Sequence, residues 1–435
     1  MFSSNQVGSM EAAESPGTPA ASASAYYALF LLAAANLLCA GDRMIMSVLI
    51  EPIKLDLHLT DTQMGIVSGL AFAIFNAVAL LPIGMLADRF SRRKLIAICL
   101  ALWSGMTALG SQAHSFMQLL LIRIGVGVGE AGSGPIGISI IADNFPPQRR
   151  ARAISIFFVS SPLGVLIAYS MGGWLAEHYS WRMAMFAAGV PGLFLAPLLW
   201  LTMADPQRGS AGAKPDKPMP FREAVTIVWQ RRSVAHTMIG IGLLNFVVAG
   251  VSTWGPSFLL RSHHINLGTI GPLLAATSVA GMLGAFLGGQ LTDRLAASDK
   301  RWLCWIPATA VLLAMIPLTG FLLAPSLLGA MSFNVVYGLL VAIYMGPSYS
   351  LIQTVVAPSM RATANSMTYL LSGAIGFGLG PLAVGMLSDA LSPLGTASLR
   401  YGILAIAIVL AWSAFHLQRA ARTLQADLAA QDSLN

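Results

Sequence analysis

Gly84-Met85-Leu86-Ala87-Asp88-Arg89 returns 205 residues later as Gly289-Gln290-Leu291-Thr292-Asp293-Arg294. Gly134-Pro135 returns as Gly346-Pro347, and Gly173-Trp174-Leu175-Ala176-Glu177 returns as Gly385-Met386-Leu387-Ser388-Asp389, both at an offset of 212. Three matches in one order, at nearly constant offset, mark an internal duplication. Each match falls in or beside a long apolar run, so the repeated unit is a bundle of membrane spans.

Outward from these matches the chain reads as twelve apolar stretches, near 25–50, 62–87, 94–112, 117–142, 151–176, 182–203, 233–260, 267–292, 303–323, 326–350, 362–388 and 399–418. Each is long enough for the roughly 20 residues a spanning helix needs. Composition agrees: of 435 residues, 56% are hydrophobic and 10% charged, with mean hydropathy +0.71. Soluble domains carry about 25% charged residues, so a water-soluble globule is excluded. Apolar content this high excludes disorder, and three cysteines exclude a disulfide scaffold. The expected fold is an all-α membrane protein with twelve transmembrane helices in two pseudo-symmetric six-helix bundles.

Lys and Arg set the orientation. Nineteen of the 25 fall in loops and tails on one side, among them Arg89, Arg92, Arg93, Lys94, Arg149 and Arg150; Lys54, Arg182, Arg261 and Arg400 fall on the other. The basic side is expected in the cytoplasm, with both termini. The net charge of +7 then implies contact with anionic membrane lipid and not nucleic acid. The divisions expected are a flexible cytoplasmic tail 1–24, an N-terminal bundle 25–204, a linker 205–232, a C-terminal bundle 233–418 and a polar tail 419–435. A cell-membrane location, a bacterial inner membrane, and a monomer are expected.

Apart from span ends and loops, only Asp42, Arg43, Arg123 and Glu130 are charged within the spans. Each costs about 2.5–3.5 kcal/mol facing lipid at a helix centre, so they must face the interior and pair. Asp42 and Arg123 fall at similar depth, and Glu130 lies two helical turns from Arg123 on the same face. A ladder Asp42–Arg123–Glu130 with Arg43 near it is expected. A carboxyl whose Arg partner moves gains or loses a proton, which is what a proton-coupled carrier requires. The roles expected are Asp42 as main protonation site, Glu130 as second acid or substrate contact, Arg123 as the switching partner, and Arg43 as an alternative partner. The same four could instead form a static network joining spans 1 and 4.

The second half has no mid-span acid, so substrate contacts there are expected from Asn245, Ser252 and Thr253 in span 7, Asn334, Tyr337, Tyr344, Tyr349 and Gln353 in span 10, and Thr368 and Ser372 in span 11. Each could also serve as an interhelical hydrogen bond.

The run Gly84 to Lys94 resembles the cytoplasmic loop signature of the major facilitator superfamily, G-x-L-A-D-R-x-G-R-K, with Ser91 in place of the second glycine. Within it the chain is similar to the Spinster-type lipid transporters. The resemblance rests on Asp42-Arg43, on Arg123 with Gly125-Val126-Gly127-Val128-Gly129-Glu130-Ala131, on Ile141-Ala142-Asp143, and on Trp254-Gly255-Pro256-Ser257-Phe258-Leu259-Leu260-Arg261. It implies a major facilitator fold and proton-coupled export of an amphiphile such as a lysophospholipid or sphingolipid by alternating access. It also implies essential acids at Asp42 and Glu130. The gating set it implies is Gly84, where spans 2 and 11 would approach, with Asp88, Arg89, Arg92, Arg149, Asp293 and Arg294. Proton-coupled efflux of soluble drugs or metabolites is the alternative.

Other motifs carry no chemistry. Gly127-Val128-Gly129-Glu130-Ala131-Gly132 spells a dinucleotide fingerprint, but no strand precedes it, and close helix packing accounts for the glycines. His263-His264 has no partner at ligand spacing, so neither metal nor cofactor is expected. No Ser/His/Asp constellation lies in the spans, so an enzyme is not expected. Thr60-x-x-Gln63 predicts a capping box opening span 2. Cys39, Cys99 and Cys304 are expected to pack.

Overall fold

The computed structural model describes residues 22–205, 221–357 and 360–432. Twelve helices are long and apolar enough to cross a membrane. In order they are spans 1 to 12: Ala23–Leu57, Asp61–Ala87, Arg92–Gly110, Phe116–Asn144, Arg149–His178, Trp181–Thr202, Arg232–His263, Leu267–Leu295, Trp302–Leu323, Leu327–Val355, Thr363–Ala390 and Ser392–Ala430. Lipid offers no hydrogen bonds, so spanning backbone must satisfy itself, and a helix does so within one segment.

Local sequence explains where the helices start. Ser22, Ser91, Ser115, Ser180 and Ser326 each accept a hydrogen bond from a first-turn amide. Thr60 and Gln63 form the reciprocal capping box expected of span 2. Proline explains the interruptions. Span 4 breaks between Glu130 and Ser133, and span 10 between Ala342 and Met345. A proline ring removes one amide and clashes with the carbonyl four residues back. Four before Pro135 is Ala131, and four before Pro347 is Ile343, each inside its break. The duplicated Gly-Pro thus marks the same break in both halves, although Gly255-Pro256 leaves span 7 unbroken.

The expected N-terminal tail lies mostly outside the described residues, as does linker segment 206–220. Phe221–Gln230, within the expected linker, is an amphipathic helix whose Val228 is buried. The last helix continues to Asp432, so the stretch from Arg419, expected as a polar tail, is helical over its described length.

Span 1 packs on span 5, span 3 on span 6, span 7 on span 12, and span 8 on span 10. The halves meet through spans 5 and 8, 2 and 11, and 1 and 7. The core shows which way the molecule opens. One apolar cluster runs across both halves, from Ile45, Val67 and Met185 to Trp254, Phe321 and Leu399. Toward the basic face two separate clusters remain, one per half: Leu31, Leu100, Ile140 and Met203, against Val234, Cys304, Leu351 and Leu424. The halves share a core on the far face and part toward the basic one.

Candidate functional site

The mid-span charges gather where spans 1, 2, 3 and 4 meet. Arg43 Nε stands 2.5 Å from Glu130 Oε2; the Glu130 side chain is fully buried, while that of Arg43 is 40% exposed. The Cys39 thiol, one turn earlier on span 1, donates to the same Glu130 oxygen at 3.4 Å. Asp42 faces another way, and its Oδ2 accepts from Thr107 of span 3 at 2.5 Å. Arg123 is buried, with Nε and Nη1 making no hydrogen bond. The Arg43 and Arg123 guanidinium carbons lie 5.2 and 5.3 Å from the Phe72 ring centroid.

This corrects the expected ladder. Glu130 pairs with Arg43 and not Arg123, and Asp42 bonds Thr107. Consecutive residues on a helix point about 100° apart, so of Asp42 and Arg43 only one can face span 4. Arg43 does, on the same face as Cys39. Sequence reading also missed Thr107 and Phe72, since neither a buried threonine nor a phenylalanine stands out in an apolar span. The glycines around Glu130 serve packing: a Cβ on Gly127 would stand 2.7 Å from the Phe72 carbonyl, and one on Gly129 2.8 Å from the Trp103 amide.

A cavity of about 290 Å³ lies between the halves. Span 1 contributes Met44 and span 5 Tyr169; most of the wall is C-terminal, including Ser252, Thr277, Asn334 and Tyr337. No charged residue is among the described residues lining it. Tyr337 is buried with its hydroxyl free of hydrogen bonds, and Asn334 donates to Thr277 at 2.9 Å.

The other polar candidates divide. Asn245 lies 3.5 Å from both Tyr344 Oη and Ser372 Oγ, and also donates to its own helix at Ile241. Tyr349 lies tilted against Tyr369, 6.4 Å between ring centroids. Thr253 is buried, Gln353 half-buried with its carbonyl bound by Arg361. Thr368 is wholly buried and bonds the carbonyl of Ala364; it is placed as a helix-internal bond.

The far face is shut by contacts that sequence reading did not predict. Arg261 of span 7 holds Asp61 of span 2 bidentately, at 2.7 Å for each bond, and reaches Glu51 of span 1 at 2.6 Å. Lys54 and Ser388 add bonds to Asp61 at 2.5 and 2.6 Å. Two further acids grip helix ends across the joint. Asp389, ending span 11, accepts from the amides of Asp61 and Thr62 at 3.1 and 2.8 Å. Glu177, ending span 5, accepts from the amide of Gly268 at 2.6 Å. Both exploit the unsatisfied amides and positive end of a helix N-terminus. Glu177 and Asp389 are the duplicated acids, and their duplicated glycines behave alike. A Cβ on Gly173 would run into the Leu267 carbonyl, and one on Gly385 into that of Asp61.

The basic face is open. Gly84, expected where spans 2 and 11 approach, would meet nothing within 4 Å if it carried a Cβ. Those spans approach instead at Gly65 and Gly69, where a Cβ would stand 2.7 Å from the Pro381 carbonyl and 2.9 Å from that of Phe377. Arg89, Asp293 and Arg294 are exposed and Arg149 is half-buried; the Asp88 side chain lies outside the described residues. Arg92 reaches Asp143 and Ser139 at 2.5 Å each, joining span 3 to span 4 within one half. Arg92→Ala should therefore lower stability by about 1–3 kcal/mol, read as an earlier thermal unfolding transition in detergent.

Twelve spans in duplicated halves, sealed on one face and parted on the other, define a secondary membrane transporter and not an enzyme. Residues 31–381 match the Major Facilitator Superfamily, and the chain belongs to it, in its Spinster branch. It is 35% identical over 373 residues to an MFS-type efflux pump of Mycolicibacterium smegmatis, covering 85% of each chain. To human protein spinster homolog 1 it is 28% identical over 382 residues, covering 82% of this chain and 71% of the relative. The crystal structure of a bacterial homologue of the human lysosomal transporter Spinster, inward-facing and unoccupied, superposes with a TM-score of 0.84 at 29% identity. That match covers 94% of this chain and 99% of the homologue.

Proposed function

We propose that this transporter couples proton movement to export of an amphiphilic lipid, of the lysophospholipid or sphingolipid kind. The observation that carries this is the Arg43–Glu130 pair within one half, together with a cavity between the halves that has no charged lining. A charged head and an apolar chain find separate partners there. Asp42 and Glu130 serve as the protonation sites, with Arg43 holding Glu130 in this state and Arg123 as the neighbouring cation.

The basic face lies in the cytoplasm of a bacterial inner membrane, with both termini, because 19 of 25 basic residues flank that side. The molecule then opens inward, in the same sense as the inward-facing Spinster homologue. When the cytoplasmic side shuts, Gly84, Asp88, Arg89, Arg92 and Arg149, with Asp293 and Arg294, come together while the far-face contacts part. Asn245, Thr253, Tyr337, Tyr344, Tyr349 and Gln353 supply polar contacts to the substrate. The protein acts as a monomer.

Efflux of soluble drugs is the second reading, favoured by the relative named an MFS-type efflux pump. Purified protein in vesicles with an imposed pH gradient, offered labelled lysolipids and a drug panel, separates the two. Gradient-driven lysolipid flux is expected. Flux of a soluble cation without lipid would promote the second reading.

A further inference from the structure

Asp42 also lines a crevice that the transport reading leaves unused. Its Oδ2 is taken by Thr107, whereas Oδ1 is buried with no hydrogen-bond partner. The crevice measures about 130 Å³ and lies between spans 1, 5 and 6. Asp42 is the one side chain able to hydrogen-bond among the described residues that line it.

Small residues make the space. Gly41 of span 1 crosses span 5 at Gly164, where a Cβ would run into the Leu37 carbonyl. Ala168 on span 5 and Ala187 and Ala188 on span 6 leave the neighbouring wall thin. The mouth is apolar and lipid-facing: Ile167 is 43% and Met171 55% exposed. Span 6 packs on spans 1, 3 and 5 of its own half, so the crevice opens away from the joint between halves. It begins near mid-membrane, since Asp42 is 15 residues from the far-face end of span 1, roughly 22 Å along the helix.

The occupant must come from the bilayer and bring a hydrogen-bond donor. A further cation is not called for, because Asp42 and Glu130 are already matched in number by Arg43 and Arg123. We propose that the crevice binds the hydroxyl end of an aliphatic alcohol dissolved in the membrane. The O–H donates to Asp42 Oδ1 while the chain lies along Ile167 and Met171. This goes beyond the transport reading and applies to the ionised Asp42, since a proton on the carboxyl would take the oxygen that Thr107 leaves free.

Photolabelling with 3-azioctanol tests it on the full chain in phosphatidylcholine vesicles, with the labelled peptides read by mass spectrometry. Saturable label is expected on the 160–175 and 181–195 stretches. Excess 1-octanol should remove it and excess octane should not. Ala188→Trp, which fills the crevice, should remove it too while leaving any labelling elsewhere unchanged. Label that does not saturate, or that spreads evenly over the lipid-facing helices, overturns the site. Saturable label displaced equally by octane overturns the bond to Asp42.

Discussion

Glu130→Gln in vesicles should abolish gradient-driven transport while the protein still folds, inserts and unfolds at nearly the wild-type temperature. Glutamine keeps the shape and can still accept from Arg43 and Cys39, so the stability cost should be about 1 kcal/mol. What it removes is the charge that holds Arg43 and the ability to take up a proton. Arg43→Ala should behave differently. It leaves the Glu130 carboxylate, whose side chain has no exposure, without its cation, and stranding a buried charge costs about 3–5 kcal/mol. The reverse deletion is cheaper because Arg43 is 40% exposed and water can solvate it. The pair of variants thus separates the two readings of the cluster. A static clamp between spans 1 and 4 predicts that Glu130→Gln transports normally. A coupling site predicts that it does not.

The second large effect concerns the far face. Arg261→Ala should move the population toward a form open on that side. Arg261 supplies both of the salt bridges that join the halves among the described residues. Asp61 would keep Lys54 and Ser388, and Glu51 would lose its cation. The bias expected is therefore about 1–3 kcal/mol, or five- to 150-fold in the ratio of states. Spin labels at Tyr179 and Leu328, both strongly exposed near the far face, should move apart. A pair at Phe90 and Ser298 on the basic face should draw together. Distance distributions identical to wild type at both pairs would remove Arg261 from any gating role.

Much of this architecture is readable in the bare chain. Hydropathy and length mark the twelve spans, because each needs about 20 apolar residues in a row. The four intramembrane charges are legible as a cluster for the same kind of reason: nothing else in the spans can offset them. Their partners are not. Depth along a helix follows from counting residues, but the direction a side chain faces depends on how spans 1, 3 and 4 are rotated, and an error of one residue exchanges Arg43 for Asp42. The far-face contacts are hidden for a further reason. Asp61 looks like an ordinary first-turn acid and Arg261 like an ordinary loop cation; they meet only when two bundles dock. The Gly84 signature is visible as a motif, yet a motif carries no record of whether its gate is open.

The two acids that end spans 5 and 11 each seize the start of a helix in the opposite half, Glu177 at Gly268 and Asp389 at Thr62. That reciprocity is the hallmark of a self-complementary two-fold contact, in which one patch meets its own copy. The joint therefore has the geometry of a two-fold dimer contact, written twice into a single polypeptide. The two copies are built unequally. One handshake has Arg261, Lys54 and Glu51 around it, and the other rests on close helix packing, with Gly271 against Ser170.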